Sequence, residues 1–190
     1  MGAACWPLNG AGDGPSDPLG LGMTMMKRSA RISECGLYRY SLTRAWGMDG
    51  EALAFVMLNP STADADLDDP TIRRCMSFAR REGYARLMVL NLYAFQATNP
   101  KALLACEDPV GPLNNEYLAM VLSERVRRGL PTVAAWGVNA QLDRVRAVLN
   151  LQPDADWRCL GTTKAGHPRH PLYVKGDQPL RPLTPVNKQV

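Results

Sequence analysis

Ala52-Leu53-Ala54-Phe55-Val56-Met57-Leu58 is apolar at every position and runs directly into Asn59-Pro60. A strand with one wet face alternates apolar and polar residues. A run without alternation predicts a strand covered on both faces, at the centre of a layered α/β domain. Downstream, Asp69-Pro70 has the signature of an N-cap followed by Pro at the first helical position. Ile72, Cys75, Met76 and Ala79 continue the helical period, and Gly83 supplies the stop. Leu87 to Leu90 then reads as a second buried strand.

The same alternation continues in both directions. Upstream, Leu37 to Leu42 has strand composition and a turn containing Gly47 and Gly50 follows it. Downstream come a helix from Pro112 to Arg128, with Leu113, Tyr117, Val121 and Leu122 inward, and a strand from Thr132 to Trp136. A helix from Val138 to Leu149, a short strand from Trp157 to Leu160 and a Pro-rich tail complete the chain. Apolar strands separated by helices predict a three-layer α/β/α sandwich around a central, mainly parallel sheet. One domain over residues 28–190 is expected, after a Gly/Pro-rich tail over 1–27.

Composition narrows the class without naming a function. The 190 residues are 46% hydrophobic and 21% charged, the balance of a globular domain. No run approaches a bilayer-spanning length, and the N-terminus lacks the pattern of a secretory signal, so a cytoplasmic protein without a membrane partner is expected. Five dispersed cysteines (Cys5, Cys35, Cys75, Cys106, Cys159) form no C-x-x-C pair, which argues against a disulfide framework or a zinc site. Neither a metal nor a cofactor is expected. A net charge of +4 permits a polyanionic partner without demanding one.

In an open parallel sheet, ligands bind beyond the carboxyl ends of the strands, so the residues there carry the functional information. After the first buried strand comes Asn59-Pro60-Ser61-Thr62, a sharp turn whose hydroxyls and N–H groups suit a phosphate or a carbonyl oxygen. After the second comes Asn91-Leu92-Tyr93-Ala94-Phe95, offering an amide to read a base edge and aromatics to stack on it. Trp136-Gly137-Val138-Asn139-Ala140-Gln141 follows the third, and Gly166-His167-Pro168-Arg169-His170-Pro171 follows the fourth, holding both histidines of the chain. Each stretch alone also fits an ordinary turn or core segment. Together they should converge on one edge of the sheet.

In this order the stretches resemble the uracil-DNA glycosylase superfamily across residues 53–173. Asn59-Pro60 is similar to its water-activating motif, Asn91 to the residue that reads uracil, and Trp136-Gly137-x-x-Ala140-Gln141 to a segment of the classical enzymes. The His-Pro segment resembles the loop carrying the catalytic histidine. Met57 stands where better-known branches have Gly, and Arg169 where they have Ser. A closer resemblance is to the domain-of-unknown-function 1643 family of bacterial and phage proteins, over residues 30–175. It rests on Cys35 to Leu42, Met57 to Ala63, Asp68 to Cys75 and Pro168 to Tyr173.

The superfamily likeness implies a glycosylase-like hydrolase acting on a flipped pyrimidine of DNA, or on a nucleotide, and working as a monomer. Asn59 would orient water and a histidine would stabilise the departing base. His167 and His170 both qualify, and His170 is preferred because it lies in the segment shared with the closer family. Asn91, Tyr93 and Phe95 would bind the base, and Ser61, Thr62, Arg73, Arg74, Lys164 and Arg169 the phosphates. Two alternatives stand beside this. One is a non-catalytic module for nucleic acid or nucleotide. The other is a metal-dependent phosphodiesterase using Asp64, Asp66, Asp68 and Asp69.

Overall fold

A computed structural model describes residues 26–61 and 68–184. The elements in chain order are β1 (Lys27–Ile32), β2 (Arg39–Ala45), β3 (Ala52–Met57), α1 (Pro70–Arg81), β4 (Arg86–Asn91), α2 (Pro100–Ala105) and α3 (Asn114–Arg127). Then follow β5 (Thr132–Ala134), α4 (Leu142–Leu151), β6 (Trp157–Cys159), a 3₁₀ turn (Pro171–Tyr173) and β7 (Arg181–Pro182). The strands form one sheet in the order β1-β2-β4-β3-β5-β6-β7. The central four, β4, β3, β5 and β6, are parallel. Antiparallel strands flank them on both edges: β2 and β1 beside β4, and β7 beside β6. The fold is therefore α/β with a parallel centre and antiparallel edges.

β3 is buried on both faces, as its unbroken apolar run predicts. Leu53, Phe55 and Met57 join an apolar cluster with Ile72, Cys75, Met76, Phe78 and Ala79 of α1. Val56, pointing the other way, joins a second cluster with Leu103 of α2, Leu118 of α3, and Val145 and Val148 of α4. α1 begins where the sequence indicates. The Asp69 carboxylate caps it by accepting the Ile72 N–H at 2.7 Å, a contact worth about 1 kcal/mol.

α3 departs from expectation in the face it buries. Leu113 is exposed, and the inward positions are Asn114, Leu118, Leu122 and Arg125. Two polar residues occupy that stripe because they satisfy backbone carbonyls. Asn114 donates to the carbonyls of Asn91 and Leu92 at the end of β4. Arg125 donates to the carbonyls of Ala52 and Pro131 and to the Thr132 hydroxyl. The last helix begins at Leu142, because Gly137 turns the chain with φ +74° and Gln141 is still extended.

β1 covers Lys27, which the sequence reading left in the tail; residues 1–25 lie outside the described residues. Among the described residues no helix is long and apolar enough to cross a membrane.

Candidate functional site

From β3 the chain passes through α1 to β4 on one side, then crosses back to β5 on the other. Order reverses between β3 and β5, and at such a switch point the diverging connections leave a crevice beyond the strand ends. A cavity of about 430 Å³ lies there, and all four parallel strands feed it. β3 contributes Met57 and the following Leu58 and Asn59, and the segment after β4 contributes Thr98. Trp136, Gly137, Val138 and Asn139 follow β5; Thr163, Arg169, His170 and Tyr173 follow β6.

Asn59 is held from one side. Its amide nitrogen donates to the carbonyls of Ala97 at 2.8 Å and Pro60 at 3.0 Å. Two carbonyl acceptors fix the NH₂ end, which leaves Oδ1 as the end able to accept from a ligand or a water. The Pro60 carbonyl also accepts the Ala97 N–H at 3.0 Å, so the turn after β3 is zipped to the segment after β4.

His170 is placed by three backbone links. The Arg169 N–H donates to Gly161 O at 2.9 Å, the Gly137 N–H to Pro168 O at 3.1 Å, and the Leu172 N–H to His170 Nδ1 at 3.4 Å. A Cβ on Gly137 would lie only 3.8 Å from that of His170, so the two loops are in contact. Because Nδ1 accepts, the neutral ring carries its proton on Nε2 and is a donor there. Burial pushes the His170 pKa below its usual value, against a smaller upward pull from Asp69. The ring is thus biased toward its neutral form.

The structure brings three of the residues expected at the site into one cavity: Asn59, Arg169 and His170. The other described ones lie elsewhere. His167 is outside the lining, with its backbone paired to Thr163. Asn91 is 2% exposed at the end of β4 and does not line the cavity. Tyr93 is core, its hydroxyl donating to Gln141 at 3.2 Å, and Phe95 packs edge-on against Tyr38. Strand-end aromatics here serve the α3–α4 side of the core instead of facing the crevice.

The expected phosphate binders are largely committed. Ser61 donates to Asp69 at 3.2 Å, Arg73 to the Asp68 carbonyl, and Arg74 to the Val174 carbonyl at 2.6 Å while lying over the Phe78 ring. Lys164 is exposed but not part of the lining. Arg169 reaches the cavity with its Nε on Thr162 O at 3.1 Å. Thr62, Asp64 and Asp66 lie outside the described residues. Asp68 is ion-paired with the buried Arg44 at 2.6 Å, and Asp69 is the helix cap. Among the described residues no three acidic, His or Cys side chains are grouped as metal ligands.

Sequence reasoning gave no site role to Thr98, Thr163 or Tyr173, and treated Asn139 as the start of a helix. Asn139 is exposed and lines the cavity, which Asn91 does not. Its signal was Gly137, which delays the helix and leaves residues 138–141 as loop. A larger groove, about 890 Å³, opens at the amino ends of β3 and β4 beside α3. Arg127 pairs there with Glu124 and Arg128 with Glu51, and Arg86 and Arg125 donate to the Met48 and Ala52 carbonyls. The cavity at the carboxyl ends is the better candidate.

A family model described as "Protein of unknown function (DUF1643)" matches residues 39–172. The chain belongs to that family. The matched span of this DUF1643 protein runs from β2 to the 3₁₀ turn and contains every residue lining the cavity except Tyr173, which follows its last residue. Neither the curated proteins nor the solved structures compared with it give a match.

Proposed function

We propose that the cavity receives a nucleobase, as part of DNA or of a nucleotide, and that the protein hydrolyses the N-glycosidic bond of a modified pyrimidine. One observation carries the reading: Asn59, after β3, and His170, after β6, line the same cavity at the switch point. Motif resemblance to the uracil-DNA glycosylases supports it from the sequence side.

Cleaving this bond builds positive charge on the sugar and negative charge on the departing base. A neutral imidazole donating from Nε2 stabilises that anion without presenting a competing positive charge in the ground state. Asn59 Oδ1 accepts a hydrogen bond from water and so turns a water lone pair toward the sugar carbon. Its other end, held by Ala97 and Pro60, restrains the amide. Asn139 offers a donor and an acceptor to a base edge, and Arg169 a cation for the phosphate. In DNA, the nucleotide reaches the cavity by leaving the stack, at a cost of a few kcal/mol.

A second reading, binding without cleavage, is favoured by Met57, whose bulk lines the cavity where glycosylases have Gly. The deciding experiment is base release from single-stranded and mismatched DNA carrying uracil or other modified pyrimidines. Release abolished in both Asn59→Ala and His170→Ala supports hydrolysis. Binding to the same strands without release supports the module and ends the enzyme reading.

A further inference from the structure

Tyr173 lines the cavity and is yet 77% exposed, so part of the ring forms the wall while most of it stands outside in solvent. Val138, also in the lining, is 60% exposed, and Leu172, next to Tyr173 in sequence, is 43% exposed. With Met48, Tyr173 and Val138 are the most exposed large apolar side chains among the described residues. Leaving aromatic surface in water is unfavourable, and such surface concentrated at a cavity mouth marks a contact with something beyond the cavity.

Charge indicates what that something is. From Trp157 to Gly176 the chain has no Asp or Glu. Lys164, Arg169 and Lys175 are exposed in that span, on both sides of Tyr173 in sequence. A free mononucleotide carries one phosphate and is served by Arg169 at the lining. Two further cations and an aromatic face outside the cavity suit a longer polyanion with flat apolar units between its charges.

We infer that the substrate is an unpaired nucleic-acid strand, with one base in the cavity and its neighbour stacked on Tyr173. The inference rests on the base-binding reading of the cavity and extends it from a single nucleotide to a strand. Stacking on an exposed aromatic tolerates any base, so Tyr173 contributes affinity for a strand without reading its sequence.

The test uses the whole protein and a fluorescein-labelled five-nucleotide DNA. Its central residue is 2′-fluoro-2′-deoxyuridine, whose fluorine resists glycosidic cleavage, and deoxyuridine monophosphate serves as competitor. Abasic residues replace the 5′ or the 3′ neighbour in turn. One replacement is expected to weaken binding to the native protein about 5- to 150-fold, the range for one stacked base. The same replacement should have little effect on Tyr173→Ala and should keep its effect on Tyr173→Phe. Equal losses in native protein and Tyr173→Ala, or a monophosphate binding as tightly as the strand, would overturn the inference while leaving the base cavity intact. Binding of neither the strand nor the monophosphate would instead remove the cavity reading itself, and this inference with it.

Discussion

His170 Nδ1 accepts the backbone N–H of Leu172 at 3.4 Å, so the candidate catalytic ring also caps the 3₁₀ turn that follows it. Function and local structure share one ring: Nδ1 holds the turn and Nε2 is left to donate. Protonating Nδ1 removes the acceptor and places a cation in a half-buried site.

This coupling sets a pH dependence. The folded-state pKa of His170 is lowered, chiefly by burial. Between that value and about 6.5, the ordinary value, the unfolded chain binds more protons than the folded one. Stability from this group is therefore complete above pH 6.5 and is lost as pH falls toward the folded pKa. The urea midpoint should fall between about pH 7.5 and 5.5, and His170→Gln should fall less. Identical pH profiles for the two proteins would refute the assignment.

Asn59 tests whether the amide is held as described. Replacing it with Ala leaves the carbonyls of Ala97 and Pro60 without their side-chain donor, at an expected cost of about 1–3 kcal/mol. Asn59→Asp should cost more at neutral pH, since a carboxylate oxygen then faces two carbonyl oxygens. Urea unfolding of the two variants gives the order directly. An Asp variant as stable as the native protein would mean that the amide is not anchored there.

Arg125 is a buried cation satisfied by neutral oxygens: the carbonyls of Ala52 and Pro131 and the Thr132 hydroxyl. Burial lowers its pKa to about 10, which still leaves it charged at neutral pH. Arg125→Met matches much of its volume but removes all these donors. The loss should be about 2–5 kcal/mol, from unsatisfied acceptors at the amino ends of β3 and β5. Arg125→Lys should recover part of it. A methionine variant of native stability would show that the guanidinium only offsets its own desolvation.

These residues also show where the sequence was legible. β3, α1 and β4 could be read because an unbroken apolar run, an Asp-Pro cap and a helical stripe each have one physical explanation. β1 could not, because Lys27-Arg28-Ser29-Ala30-Arg31-Ile32 is an edge strand with largely exposed side chains and no alternation to detect. α3 was located but rotated, because Asn114 and Arg125 take inward positions that a polarity pattern assigns to solvent. At the cavity, Asn59 was legible from its place after a strand, whereas strand-end position left His167 and His170 equal and only the segment shared with the family favoured His170, which lines the cavity. Strand-end position favours Tyr93, but packing turns it inward to Gln141, while Tyr173, which no strand-end pattern singled out, lines the cavity.

The cysteines offer a check on packing that is independent of function. Cys35 is exposed, and the Ser33 hydroxyl, 3.2 Å away, lowers its pKa, with a lesser contribution from the Leu37 backbone. Cys75 is fully buried on α1 against the β3 side of the core, and burial raises its pKa strongly. Cys159, 2% exposed in β6, is equally enclosed. Alkylation requires an accessible thiolate, so Cys35 should be modified much faster than Cys75 or Cys159 in native protein near pH 8. The two buried thiols should react only as the domain opens, at rates that rise with urea. Peptide mass spectrometry after timed iodoacetamide treatment separates the sites. Rapid native labelling of Cys75 would mean that α1 does not seal that face of the sheet, and the Asp69 cap and Ser61 contact at its start would have to be reassessed with it.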